Sequence, residues 1–394
     1  MTICEPPYGE QHVLHGIALA RACAMSLASE PHGDHDGDHS ALQEGNQPER
    51  GSQRALRVVA VGGGTGLPVV LRGLADARLH DGGSAAESAP QLTAIVTVTD
   101  DGGNSGHLRR DLGMLPPGDI RNCLAVLAAM PAPLAQLLQH RFTGRHSLSG
   151  HAVGSLLIAA MTQMTGDFAS AVEQLSRILN VQGRILPSTR EDVTLRAEFA
   201  DGALREGETA IVARRARIKR LSLQRAVRPL PDAIRALVNA DAIVVGPGSL
   251  YTSVLPNLLI DGIAATMFGV NAVRIYVANL MTEPGETDDL TLEDHLRVIR
   301  EHVGLDLFDY VLVSRSRLQD PTVIEYGQRG ARPIARAPNG ARLGDTPVIE
   351  RDLAWSYTGG KIRHEPAQLA RAILDLVAKG RPLRSPAAVM SHIS

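Results

Sequence analysis

Residues Gly62-Gly63-Gly64-Thr65-Gly66 have the composition of a phosphate cradle. They follow the apolar, β-branched run Val58 to Val61 and precede an amphipathic segment carrying Val69, Val70, Leu71 and Leu74. Strand, tight turn and helix in that order bring unpaired backbone N–H groups to a helix N-terminus, where amides and helix dipole both favour an anion. The spacing is neither the dinucleotide pattern G-x-G-x-x-G nor a Walker A loop, because no Gly-Lys-Ser/Thr follows. A NAD dehydrogenase and an ATPase are therefore disfavoured, and a phosphorylated or nucleotide-like ligand is expected. A glycine turn that serves only close strand–helix packing is the alternative.

A second loop, Thr99-Asp-Asp-Gly-Gly-Asn-Ser-Gly106, follows the apolar run Leu92 to Thr99. Ligands of open α/β sheets sit beyond the carboxyl ends of the strands, so Asp100, Asp101, Gly102 and Gly103 should share a crevice with the first turn. Asp100 and Asp101 could hold Mg²⁺ with a phosphate completing its shell, or hydrogen-bond ribose or base. An exposed Asx turn is the plainer alternative. Arg121 falls in the first turn of the following helix, where a cation opposes the dipole unless an anion or an aspartate is near, and Asn122 adjoins it. Gly246-Pro-Gly-Ser-Leu-Tyr-Thr-Ser253 repeats the logic of the first turn, so Gly246, Gly248 and Ser249 read as a second phosphate seat. Asn279 adds a polar group at the same rim. Two such turns fit a ligand with a long phosphate-bearing axis, such as a nucleoside diphosphate derivative. His151 could act as an acid or base, although a lone histidine is more often structural. No Ser-His-Asp order or Cys-His pair supports acyl transfer.

These loops need a scaffold of alternating strands and helices. From Leu56 onward the chain supplies it, with strand-like runs at Leu92–Thr99, Ala242–Val245, Arg274–Ala278 and Tyr310–Ser314 between helical patterns. That alternation predicts a mainly parallel sheet with helices on both faces. Residues 193–223 alternate apolar and charged positions instead, and read as a small β-rich inserted lobe. Its cluster of Arg214, Arg215, Arg217, Lys219 and Arg220 reads as one solvated sheet face. The expected organisation is an N-terminal disordered extension over 1–54, one α/β domain over 55–380 and a tail over 381–394. His32, His35 and His39 of the extension, interleaved with Asp34, Asp36 and Asp38, could capture a metal, but a solvated tail explains them as well.

Composition narrows the partners. Forty basic and 42 acidic residues leave no broad electrostatic demand for a nucleic-acid polymer or an anionic membrane. Aromatic residues are 3% of the chain, too few for a base-stacking platform. No segment is long and apolar enough to span a bilayer, and His12–Ala28 carries Arg21 and follows Glu5 and Glu10, unlike a signal peptide. Cys4, Cys23 and Cys123 are too few and scattered for a disulfide framework, so a cytoplasmic location is expected.

Five stretches in order, VVAVGGGTGLPVVLRGL, AIVTVTDDGGNSGHLRRDLGMLPPGDIRNCLAVLA, GHAVGSLLIAA, ADAIVVGPGSLYTSVLPNLL and YVANLMTEPGETDDLTLEDH, resemble the gluconeogenesis-factor (YvcK) branch of the YvcK/CofD-like family. The resemblance runs from about Val58 to Val377. It implies a doubly wound, Rossmann-like fold and binding of a UDP-sugar of the UDP-N-acetylglucosamine type. It further implies a homo-oligomeric regulatory protein of cell shape during gluconeogenic growth, with a protein partner in cell-wall metabolism. The branch's nucleotide-sugar contacts include a tyrosine and an arginine that correspond here to Tyr326 and Arg363. The sister branch is similar to 2-phospho-L-lactate transferase, a Mg²⁺-dependent enzyme, which makes a nucleotide-dependent transferase the alternative reading. The chain departs from the branch at Ser155, usually asparagine, at Glu283, usually glutamine, at His107, usually arginine, and at Pro68, usually serine. A carboxylate at Glu283 beside a phosphate seat is expected to weaken binding unless a cation offsets it.

Overall fold

Short apolar runs form the centre of the main sheet because strands covered on both faces have no polar side to show. The computed structural model describes residues 54–80, 90–316, 320–334, 341–357 and 361–382. The expected N-terminal extension, with its histidines and aspartates, and nearly all of the expected tail lie outside the described residues. The strands are β1 Arg57–Gly62, β2 Gln91–Val96, β3 Arg184–Pro187, β4 Leu195–Phe199, β5 Leu204–Glu206, β6 Ile218–Leu223 and β7 Ala242–Val245. They continue with β8 Val273–Val277, β9 Tyr310–Ser314, β10 Arg342–Leu343, β11 Thr346–Arg351, β12 Ala354–Tyr357 and β13 Lys361–His364. The helices are α1 Leu67–His80, α2 Gly103–Leu112, α3 Gly118–Leu127, α4 Ala132–Gln139, α5 Val153–Thr165, α6 Phe168–Ile178 and α7 Glu208–Ala213. After α8 Pro231–Val238, a π-helical turn Leu250–Val254 runs into α9 Leu255–Leu258. The last four helices are α10 Ile263–Gly269, α11 Leu292–Val303, α12 Asp320–Gln328 and α13 Pro366–Lys379.

The main sheet has the order β10-β11-β9-β8-β7-β1-β2-β3, parallel throughout except for the β10–β11 pair. From β1 the chain winds outward through β2 to β3, then returns to the other side of β1 and winds through β7, β8 and β9 to β11. The switch point lies between β1 and β7, whose residues Val58–Val61 and Ala242–Val245 pair in register. Alternate residues of β1 face opposite ways, as the twofold period of a strand requires. Val58 and Ala60 join Leu67, Leu71, Leu74, Ile120, Leu124 and Ile373 on the face covered by α1, α3 and α13. Val59 and Val61 join Leu237, Leu250, Val254 and Ile299 on the face covered by α8, the π turn and α11. The result is a doubly wound α/β fold.

Strands β5, β4 and β6 form a separate antiparallel sheet within residues 193–223. Its inward residues Leu195, Ala197, Phe199 and Leu221 belong to the same core as the second face of the main sheet. Two polar ties fix the lobe. The buried Arg109 donates to the Val193 carbonyl at 2.8 Å and pairs with Asp192 at 2.6 Å. The Leu221 N–H donates to His302 Nε2 at 2.9 Å.

The structure departs from the sequence reading in places. The second strand stops at Val96, and Thr97 and Thr99 continue as a buried connection whose hydroxyls are 3.1 Å apart. Residues 103–112 are helical although Gly103, Asn104, Ser105 and Gly106 are poor helix formers, because the Gly106 N–H bonds Gly102 O and Leu108 and Arg109 are buried. The basic cluster is not one face: Arg214 and Arg215 follow α7, while Lys219 and Arg220 lie on β6. Among the described residues, no helix is long and apolar enough to cross a membrane.

At the amino ends of β8 and β9, away from the strand-end loops, Arg274 and Asp309 form a fully buried bidentate pair. Arg274 Nε and Nη2 donate to the two carboxylate oxygens at 2.9 Å each, and the Arg274 N–H adds a third bond at 3.0 Å. Those three donors hold the Asp309 carboxyl below its ordinary range despite its burial. Asp309→Ala would leave a buried guanidinium without its counter-charge, and should cost about 3–5 kcal/mol of stability. Urea denaturation of the two proteins measures the difference.

Candidate functional site

The turns that close β1 and β7 interlock backbone to backbone. A Cβ placed on Gly66 would lie 2.1 Å from Pro247 O and 2.6 Å from its carbonyl carbon, so only glycine admits the contact. Gly246 meets the other demand of the crossing, a left-handed φ of 77°. Asn279, just past β8, then clamps the β7 turn from both sides: its Oδ1 accepts from Gly248 N–H and its Nδ2 donates to Gly248 O, each at 2.9 Å. Asn257 Nδ2 holds the β1 turn in the same way through Gly62 O at 3.1 Å.

Over these turns opens a cavity of about 590 Å³, lined by Thr65, Gly66, Gly248, Asn279, Tyr326 and Arg363 together with Glu283, Arg215 and Lys361. Tyr326 on α12 and Arg363 on β13 come together because the Ile362 N–H donates to Tyr326 Oη at 3.2 Å. A smaller cleft beside it brings Asn122 to Thr65 and Arg363. Arg121 points the other way along α3 and is buried, donating to Ser155 Oγ at 3.3 Å and to Asn122 Oδ1 at 2.8 Å. Burial and the nearby Arg141 lower its pKa. His151 is buried near the His107 ring and lines neither cavity.

On the other side of the β1 turn the groups are acidic. Gly64, at a φ of 62°, donates its N–H to Asp119 Oδ2 at 2.7 Å. Asp100 bonds the Gly102 N–H at 2.8 Å and stands beside Asp119. Its sequence neighbour Asp101 turns away to the lobe, where one carboxylate oxygen accepts from both Thr209 N–H and Thr209 Oγ1. The fold thus pairs Asp100 with Asp119 rather than with Asp101. Burial and then the charge of Asp100 raise Asp119 to about 6, against the opposing Gly64 hydrogen bond and Arg121. Glu208, at the start of α7, is pushed far up by burial and by Asp100 and Asp119. Nothing local in the sequence marks Glu208 or Arg215 as site residues, since each arrives from the inserted lobe.

The two turns do not offer equal anion seats. Beyond the β7 turn the N–H groups of Tyr251 and Thr252 already donate to Glu286, which also faces Thr252 Oγ1 at 3.3 Å. The protein's own carboxylate therefore sits where the second phosphate was expected. The β1 turn keeps Thr65 and Gly66 at the cavity, ahead of α1. Among the described residues, no three His, Cys, Asp or Glu side chains could hold a metal ion by themselves. Mg²⁺ needs only one or two carboxylates when phosphate and water complete its shell, and Asp100 with Asp119 fits that requirement.

A family model described as 2-phospho-L-lactate transferase CofD matches residues 58–354. A gluconeogenesis factor of Halalkalibacterium halodurans is 40% identical over 336 residues, covering 83% of this chain and 97% of that protein. One of Bacillus subtilis is 41% identical over 322 residues, covering 82% and 98% respectively. The crystal structure of a UPF0052-family protein from Bacillus halodurans matches with a TM-score of 0.75 at 40% identity, covering 81% of this chain and 99% of that one.

Folding raises the Asp119 pKa, so the native state keeps a proton that the unfolded chain releases above about pH 4. The stability this gives is complete below that point and is lost as pH rises to about 6. Asp119→Asn should abolish that slope and gain about 1–3 kcal/mol at neutral pH, after discounting for partial exposure. Chemical denaturation at a series of pH values reads both effects.

Proposed function

The chain belongs to the 2-phospho-L-lactate transferase CofD family and groups there with the gluconeogenesis factors, and from that premise we propose that it is a nucleotide-sugar-binding regulatory protein. The ligand class is a UDP-sugar, and the regulated process is cell shape during gluconeogenic growth, through a protein partner in the cytoplasm. One observation carries the binding half of this reading. A cavity of about 590 Å³, within the usual range for small-molecule sites, opens at the switch point and is lined by Arg215, Arg329, Lys361 and Arg363. Such a lining favours a multiply charged anion, and the start of α1 at Thr65 and Gly66 offers the phosphate a dipole end. Tyr326 adds an aromatic surface suited to a base or sugar.

A specific feature supports a second reading, a nucleotide-dependent transferase. Asp100 and Asp119 stand beside the β1 turn, where Mg²⁺ held with the ligand's phosphate would neutralise charge on a leaving group. Incubation with a lactyl-phospho nucleotide, a deazaflavin acceptor and Mg²⁺ should yield a joined product if that reading holds, and its absence removes it.

Titration calorimetry with UDP-N-acetylglucosamine should give saturable heat. Arg363→Ala should weaken binding about tenfold or more, the loss of one charge-assisted hydrogen bond. Folded wild-type protein that gives no heat at millimolar ligand defeats the proposal.

A further inference from the structure

Among the described residues, Glu283 is the one acidic side chain lining the cationic cavity. Its backbone is pinned: the Glu283 N–H donates to Thr287 Oγ1 at 2.8 Å, and Glu283 O accepts from the N–H groups of Glu286 and Thr287. Its carboxyl bonds the Ser249 side chain at the β7 turn. The remaining oxygen, Oε2, is buried and has no hydrogen-bond partner. An ionised carboxylate cannot keep a bare oxygen out of water without a large penalty, whereas a protonated one presents a donor there.

The neighbours decide where the proton stays. Glu286, three residues on, is electrostatically linked to Glu283, and burial raises both carboxyls. Glu286 receives two backbone N–H groups and faces the Thr252 hydroxyl, all of which favour its charged form. Glu283 has only Ser249. The proton of the pair therefore rests on Glu283. Tyr276, from β8, is neutral, its pKa raised by burial and by Glu283. His364, from β13, is held neutral by burial, with a pKa near 4. Arg215 from the lobe, Lys361 and Arg363 from β13 and Arg329 from α12 line the same cavity, but among the described residues none forms an ion pair with Glu283, and Arg329 pairs with Glu325.

We propose that Glu283 is a specificity-determining residue that stays protonated at neutral pH and donates its carboxyl O–H to a phosphate oxygen of the bound ligand. This rests on the phosphorylated-ligand reading above and adds a chemical criterion to it. The group opposite Glu283 must be an acceptor, and ionisation of Glu283 turns that contact into repulsion. No covalent step or net proton transfer is involved. The acid that the sequence alone would treat as a liability becomes a donor by burial.

The test has two arms. In the first, UDP-N-acetylglucosamine is titrated into wild type, Glu283→Gln and Glu283→Ala at a series of pH values between about 6 and 9, with thermal unfolding confirming that each is folded. Wild-type affinity should fall as pH rises, approaching tenfold per unit once the carboxyl ionises. Glu283→Gln, a donor at every pH, should bind with a flat profile, and Glu283→Ala should bind weakly throughout. A Glu283→Gln profile as steep as wild type, or Glu283→Ala binding as tightly, overturns the proposal. In the second arm, the infrared difference between wild type and Glu283→Gln at neutral pH should show a protonated carboxyl band. Its absence overturns the proposal whether or not a ligand binds. A wild type that shows the band yet binds no nucleotide sugar defeats the ligand reading and, with it, the donor role, while the protonation state stands.

Discussion

The contact between Gly66 and the carbonyl of Pro247 is the constraint on which the site depends. Adjacent parallel strands that wind in opposite directions must part at their carboxyl ends, and the gap between them is where a ligand can enter an open α/β sheet. Here the two turns meet across that gap with no side chain between them, so the gap becomes a floor. Any residue larger than glycine at position 66 would push the β7 turn away, and Gly248 would leave the reach of Asn279. The floor is thus held from three strands at once: β1 through Gly62 O and Asn257, β7 through its own turn, and β8 through Asn279.

Charge is separated on either side of that floor. Asp100, Asp119 and Glu208 gather beyond the β1 turn, while Arg215, Lys361 and Arg363 line the cavity over it. Each half alone is unfavourable: the acids raise one another's pKa, and the cations share one wall. A phosphorylated ligand, with or without a divalent cation, would relieve both. Sites of function commonly keep such unfavourable arrangements when the surrounding structure over-determines them, and the interlocked turns supply that rigidity.

Much of this scaffold could be read from the chain. Apolar runs that end in glycine placed β1 and β7, the alternation of runs and amphipathic segments implied a parallel sheet, and Asp100 was set beside the first turn because strands end where ligands bind. What could not be read was which groups fill which amides. Asp119 lies 55 positions from the Gly64 N–H that it accepts, and Asp101 is drawn to a lobe inserted more than 90 residues later. Such long-range pairings leave no periodicity to detect. The same holds for Arg215, whose left-handed backbone and placement at the cavity come from the packing of Gly285 against it, not from the β alternation around it. Residues 103–112 were hidden for a different reason: weak local propensity was overridden by burial of Leu108 and Arg109.

The occupied seat beyond the β7 turn has a further consequence for how a ligand can lie. A diphosphate stretched between two equivalent turns would need free amides at both, yet the Tyr251 and Thr252 N–H groups are already satisfied by Glu286. Displacing a buried, multiply bonded carboxylate would leave that charge unpaired in a low-dielectric site, at a cost that one phosphate contact does not offset. The phosphate chain is therefore anchored at one end, by the start of α1, and runs from there along the cationic wall that β13 and the lobe provide. Glu286 contributes to recognition by exclusion. It completes the π turn electrically, and so leaves the neighbouring Glu283, not the backbone, to meet whatever the ligand presents at Ser249.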